Sequence, residues 1–186
     1  MIAYNFTKKI DDANWFFQKF SSLMLIHDFN EHQTLEIGET RVPIGYEGGI
    51  SSSSIKMFMR SQIARNLGNY YSTGIKNIGD YKYGNYNIGF YDASRSFRNN
   101  FQGYEFAALA GIKPLEKFDG KYGSLQIGGS IDCGNSDNSF TVVGGHAIYN
   151  YKKFYTDFEY LYADGFSGNH YGQGKAHGLY ATVGYF

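Results

Sequence analysis

The sequence has few of the features that mark secreted disulfide-rich domains, membrane helices or nucleic-acid-binding proteins. Cys133 is the only cysteine among 186 residues, so an intrachain disulfide is excluded. Its 17 basic residues balance its 17 acidic ones, and no net field attracts nucleic acid. No apolar run approaches the ~18 residues of a membrane helix. The start, MIAYNFTKKIDDAN, shows no signal peptide.

Patterns that carry enzyme chemistry are also lacking. The five histidines show no metal-ligand spacing, and the serine run at 51–54 has no neighbouring nucleophile motif. The glycines show no phosphate-loop spacing. The sequence therefore predicts that the protein is not an enzyme and that it needs no metal and no cofactor.

Aromatic residues and glycine are what the sequence has in abundance. Aromatics make up 19% of the chain, and 24 glycines contrast with two prolines. Aromatics favour pleated strands and glycine supplies turns. The length predicts a single domain over residues 1–186.

Ten segments are predicted to be strands, most of them about 10 residues long, which is the length of a tilted transmembrane strand. The segments are 2–10, 18–29, 33–42, 70–79, 83–92, 104–113, 121–132, 139–150, 153–163 and 175–186. Segment 18–29 is apolar on both faces, which also fits a short helix.

Period-two alternation gives each strand one apolar and one polar face. In 153–163, Phe158 and Tyr160 oppose Asp157 and Glu159. In 121–132, apolar residues at odd positions oppose polar residues at even positions. A soluble sandwich shows the same alternation, so the period alone does not establish a membrane protein.

The connections and the strand ends favour an antiparallel transmembrane β-barrel. Tyrosine and phenylalanine cluster near strand ends, as the aromatic girdles of such barrels require. Short turns on one rim are expected to alternate with longer loops on the other. The predicted short connections are 30–32, 80–82, 114–120 and 151–152, and the longer ones are 11–17, 43–69, 93–103, 133–138 and 164–174.

The connection over 43–69 is too long for a hairpin turn, and loops of such length are usually functional. We predict that it folds into the mouth of the barrel and constricts it. Lys56, Arg60 and Arg65 are its predicted anion-contacting edge, since a guanidinium matches phosphate and carboxylate. The alternative is that these cations pair with Glu36, Glu39 or Glu47 and only hold the loop.

The predicted wall carries charges of both signs. Lys76, Lys113 and Lys153 are further pore-lining candidates that would continue a basic ladder. Acidic residues share the same wall by the period argument, and cross-strand ion pairs are the alternative for most of these charges. The acidic residues are Glu105, Asp157 and Glu159.

Several stretches resemble the bacterial phosphate-selective porins of the O and P type. EIGETRVPIGYEG, RSQIARNLGN and YNIGFYDASR carry the likeness, and later hairpins extend it over about residues 15–186. In such porins a strand with a glycine and a proline, here Gly38 and Pro43, leads to a glutamate, here Glu47. The resemblance implies that these three residues anchor the constriction loop.

The same resemblance implies an outer-membrane channel, typically a homotrimer, through which small hydrophilic or anionic solutes such as phosphate diffuse passively. Its partners would be outer-membrane lipid and those solutes, with no nucleic acid. Porin barrels of this kind have about 16–18 strands, so the ten strands here would be part of such a barrel or a smaller one. Two alternatives stay open: a non-conducting outer-membrane barrel that acts as an anchor or adhesin, and a soluble ligand-binding β-barrel.

Overall fold

The structure is a computed structural model that describes residues 2–4, 20–93, 103–136, 138–167 and 170–185. Strands dominate the described residues, and helix is confined to short turns. The strands are β1 (Ile2–Tyr4), β2 (Phe20–Asn30), β3 (Gln33–Arg41), β4 (Tyr71–Tyr81), β5 (Gly84–Tyr91), β6 (Tyr104–Ile112), β7 (Ser124–Asn135), β8 (Ser139–Tyr151), β9 (Phe154–Ser167) and β10 (His170–Tyr185). The helices are α1 (Tyr46–Gly49) and α2 (Gln62–Leu67), with 3-10 turns at Ser52–Ser54 and Glu116–Phe118.

Each strand pairs antiparallel with its neighbours in sequence, which confirms the prediction of an all-β, antiparallel fold. Strands β2 to β10 form one continuous sheet, and the short β1 pairs with β2. The segment that also fitted a helix is a strand, β2. Within the described residues, no pairing joins β10 to β1 or β2, so the sheet is open at β10.

The predicted connection lengths are partly wrong. Parts of the segments predicted as loops at 133–138 and 164–174 are strand, because β7 runs to Asn135, β9 runs to Ser167 and β10 begins at His170. This glycine-rich part of the β9–β10 ladder is irregular, with Gly165 at φ 73° and a register shift between Tyr171 and Lys175. Cys133, predicted to be a loop thiol, is a half-buried residue of β7. Residues 5–19 and 94–102 lie outside the described part of the chain.

The two faces of the sheet differ sharply in polarity, as the alternation predicted. On the outer face, apolar side chains stand opposite one another from strand to strand. One such row runs from Ile37 to Ile75 and on to Phe90, whose ring lies 5.0 Å from that of Phe106. Phe90 is 62% exposed. The inner face is mixed: beside buried apolar residues such as Val142 and Leu161, it carries buried polar residues, among them Thr40, Ser72, Lys76, Glu105, Ser130, Asp132, His146, Asp157 and Glu159.

Residues 42–70, named here the inserted loop, lie against the inner face. Val42, Ile44 and Leu67 pack in one buried cluster with five residues of four wall strands. The wall residues of that cluster are Tyr91, Ala107, Val142, Leu161 and Ala163. Because the loop leaves β3 and still contacts β9 and β10, the sheet must curve around it.

Small residues of the inner face make room for the inserted loop. A Cβ atom at Gly178 in β10 would collide with the Ile63 side chain of α2.

No helix among the described residues is long and apolar enough to cross a membrane.

Candidate functional site

Arg41, at the end of β3, fixes the base of the inserted loop. Its guanidinium donates to Asn69 Oδ1 at 2.5 Å and to the Gly48 carbonyl at 3.2 Å. It also donates to the Tyr71 hydroxyl at 2.7 Å and lies over that ring. One side chain thus joins the start, the middle and the end of the loop.

The far side of the loop is held by two wall residues. The Glu159 carboxylate of β9 accepts from the backbone N–H groups of Tyr46 at 2.5 Å and Glu47 at 3.2 Å. Ser130 Oγ of β7 accepts from the Gly45 N–H at 3.1 Å. Glu159 is almost fully buried, so these charge-assisted bonds act away from bulk water.

Gly45 is where the chain turns to present these N–H groups, with φ at 64°. A Cβ atom there would clash with the Glu159 carboxylate. A residue with a side chain would also be strained at this positive φ. We therefore expect Gly45→Ala to destabilise the docked loop by about 1–3 kcal/mol and to speed tryptic cleavage of the loop. Gly49→Ala is the control, because a Cβ at Gly49 meets only ordinary contacts of 3.8 Å and 4.0 Å. Equal cleavage rates in both variants would contradict this account of Gly45.

Within the loop, Arg60 joins two backbone segments through its guanidinium. Its guanidinium donates to the Glu47 carbonyl and to the Ile50 carbonyl, the latter at 2.6 Å. The Glu47 carboxylate accepts from the Ser61 N–H at 2.9 Å, and Ser61 caps α2. Arg60 is buried, so its guanidinium is committed to loop carbonyls rather than to a pore edge.

The other predicted loop cations are exposed. Lys56 Nζ lies 5.9 Å from the centroid of the Tyr155 ring, and Lys56 lines a cavity described below. Arg65 lies on the exposed side of α2. The structure thus does not bring the three predicted cations together at one site.

The predicted wall cations are also dispersed. Lys76 is buried opposite Glu36 and forms an ion pair with it at 2.6 Å. Lys113 pairs with Asp80 and Lys153 lies in the exposed turn before β9, both at the end of the sheet with the short turns. The ladder of free lysines is therefore absent from the described wall.

Two of the predicted loop anchors lie at the base of the inserted loop or near it. Pro43 is fully buried beside Val42 and Ile44. Gly38, in the middle of β3, has a φ of 121° and pairs with Gly74 of β4. Gly38 thus shapes the strand that leads to the loop rather than contacting the far wall.

Two neighbouring cavities lie between the inserted loop and the wall. The first, of about 500 Å³, opens at the short-turn end and is lined by Lys113, Gln126 and Asp80, among others. The second, of about 280 Å³, lies between residues 46–57 of the chain and β8 to β10. Both cavities are lined by Tyr46, Ile148 and Asn150, so the two cavities adjoin at these residues, which are named here the partition.

The electrostatic balance around the partition is slightly acidic. Burial raises the pKa of the Tyr46 phenol, and the nearby Asp157 and Glu159 carboxylates raise it further.

Deeper in the wall, the Tyr70 hydroxyl donates to Glu105 at 2.5 Å and lies 2.9 Å from Asp132 Oδ2. No cluster of three or more metal-binding side chains occurs among the described residues.

The residues that dock the loop escaped prediction from sequence. Alternation placed Glu159 on the inner face but gave no sign that it binds the backbone of Tyr46, 113 positions away. Arg41 ends a strand like many surface arginines. Only the glutamate within a run of aromatic residues, FEYLY, hints at an inward carboxylate with a fixed partner.

No family model, characterised protein or solved structure matches the chain. The polarity of the sheet and the contacts of the inserted loop are therefore the features that bear on function.

Proposed function

We propose that the sheet is the wall of an outer-membrane β-barrel and that the inserted loop restricts a passage through it. In this proposal the protein is a porin that lets small hydrophilic solutes diffuse passively. The observation that carries the proposal is the polarity of the sheet, which exposes apolar side chains on its outer face and gathers its buried charged and polar side chains on its inner face.

The outer face has the character of a lipid-facing surface. Exposed leucine, isoleucine, valine and phenylalanine residues occur on β2 to β10, including Ile112 at 60% and Val183 at 70% exposure. Water-soluble monomers rarely expose apolar patches beyond a few hundred Å². Facing hydrocarbon, the same side chains would avoid water, as in other membrane barrels.

The aromatic residues at strand ends support the same placement. Tyr81 and Tyr83 lie at the turn between β4 and β5, and Tyr151 and Phe154 flank the turn between β8 and β9. All four are more than a third exposed. Such rings favour the interface between lipid and water.

The two cavities beside the inserted loop mark the proposed route. A solute entering at the short-turn end would pass the partition at Tyr46 and then the Lys56 side of the loop. The charged lining includes the carboxylates of Glu31, Asp80, Glu116, Glu47 and Asp157 and the lysines Lys82, Lys113 and Lys56. With carboxylates in excess, this lining gives phosphate no electrostatic advantage.

The proposal requires a partner for the edge of β10 that no described strand pairs with. In hydrocarbon an unpaired backbone group costs several kcal/mol, so a membrane-spanning sheet cannot leave an edge open to lipid. Further strands, or a neighbouring copy of the chain, would have to pair with β10 in the membrane.

Electrical recording tests the proposal. We expect the protein, reconstituted into planar lipid bilayers in potassium chloride, to produce discrete conductance steps. A variant with the outward residue Leu179 changed to lysine is the control for insertion and should give far fewer events, since a lysine facing lipid opposes insertion. A protein that inserts into vesicles but yields no steps would contradict the porin assignment.

One observation favours a second candidate, a barrel that does not conduct. Val42, Ile44 and Leu67 of the inserted loop form a buried apolar core with the wall, which fills part of the interior. The same recording separates the two candidates, because a filled barrel inserts without conductance.

A further inference from the structure

We propose that the cavity between the inserted loop and β8 to β10 binds a small organic ammonium or guanidinium group, with Asp157 as its anionic partner. The inference rests on the proposed function, since it names the solute class that the passage would favour. The binding site itself is argued from the lining of the 280 Å³ cavity alone.

Asp157 is the proposed anionic partner of the ligand. It lines the cavity and is only 8% exposed. Its Oδ2 accepts a hydrogen bond from the Tyr155 hydroxyl at 2.5 Å, whereas its Oδ1 has no hydrogen-bond partner among the described residues. A carboxylate oxygen can accept more than one hydrogen bond, so a cationic donor in the cavity can bond to Asp157 beside the Tyr155 hydroxyl.

The rest of the lining suits a cation with an apolar body. Three tyrosines, Tyr46, Tyr155 and Tyr180, line the cavity, and aromatic rings attract cations. Ile55, Met57 and Ile148 supply apolar contacts for a short alkyl chain. A bare metal ion would instead need several oxygen ligands in one cluster, and the described residues contain no such cluster.

The charge balance also favours a cation. Glu47 and Asp157 contribute two negative charges, and Lys56 contributes the single positive charge of the lining. Lys56 makes no ion pair with the described residues, and its Nζ lies 5.9 Å from the centroid of the Tyr155 ring. An entering monocation would therefore neutralise the site, whereas an anion would meet an excess of carboxylate.

Three probes of matched size test the inference on the folded protein in detergent: n-butylammonium, butyrate and 1-butanol, each titrated by ligand-observed NMR. We expect n-butylammonium to bind more tightly than the other two. Asp157→Asn keeps the size of the side chain and should weaken n-butylammonium binding about tenfold by removing the charge. Asp164→Asn is the matched control, because Asp164 lies on the same strand, half exposed and paired with Lys175 at 3.5 Å.

A second variant keeps the test independent of how Asp157→Asn folds. Lys56→Met removes the positive charge at the cavity and should strengthen n-butylammonium binding. Tighter binding of butyrate, equal affinity in the wild type and Asp157→Asn, or weaker binding in Lys56→Met would overturn the site. Binding that depends on Asp157 without any bilayer conductance would overturn the porin proposal and leave the binding site supported.

Discussion

Replacing Glu159 by alanine is expected to release the inserted loop from the wall. The substitution removes the acceptor of the Tyr46 and Glu47 N–H groups and leaves both without their partner. Each buried donor left unsatisfied costs about 1–3 kcal/mol. Tryptic cleavage at loop residues such as Lys56 and Arg65 should therefore accelerate at least about tenfold, since roughly 1.4 kcal/mol corresponds to a factor of ten.

In bilayers the same variant is expected to show larger or noisier conductance steps than the wild type, because the loop no longer lies against β9. Glu39→Ala is the control, since Glu39 is a half-buried carboxylate of β3 that takes no hydrogen bond from the loop in the described structure. Cleavage and conductance as in the wild type would show that Glu159 does not hold the loop.

Lysine at two adjacent positions of β7 should have opposite consequences for membrane assembly. Ile127 is 46% exposed on the outer face, whereas Gln126 lines the 500 Å³ cavity on the inner face. A lysine on the lipid face destabilises a membrane barrel by about 1–4 kcal/mol, depending on depth. Ile127→Lys should therefore reduce the folded fraction in lipid vesicles, and Gln126→Lys should leave it near the wild-type level.

The folded fraction can be read from the mobility shift of unheated samples on a gel, with urea titration to obtain the free energy of unfolding. Both variants carry the same new charge, so a difference between them reports which face meets lipid. Equal destabilisation of the two, or greater damage from Gln126→Lys, would count against a lipid-facing outer surface.

The strands could be predicted from sequence because alternation is a local property. In β9, Phe158 and Tyr160 alternate with Asp157 and Glu159, and no distant residue is needed to assign their faces. Segments rich in glycine were harder. The stretch near Gly165 looks like a loop in sequence, yet neighbouring strands keep it paired.

The contacts of the inserted loop depend on the path of the chain, and sequence reasoning could not reach them. Pairing of Arg60 with Glu47 was one alternative to a role at the pore edge, and the guanidinium donates to the Glu47 backbone carbonyl rather than to its carboxylate. Lys76 was a candidate for the pore lining, with a cross-strand ion pair as the alternative, and the structure shows the ion pair, with Glu36. Opposite charges facing one another across β3 and β4 become visible only when the register of the two strands is known.

The central claim is that the apolar face of the sheet contacts lipid while the polar face encloses water. Spin labels on β7 test it directly in protein reconstituted into lipid vesicles. The native cysteine is first removed by Cys133→Ser. Single cysteines for the label are then introduced, one per variant, at Ser124, Leu125, Gln126, Ile127, Ser130 and Ile131. The account predicts that labels at the odd positions are more accessible to oxygen, which partitions into lipid, and labels at the even positions to a water-soluble nickel complex. The opposite phase, or no alternation along the strand, would contradict it.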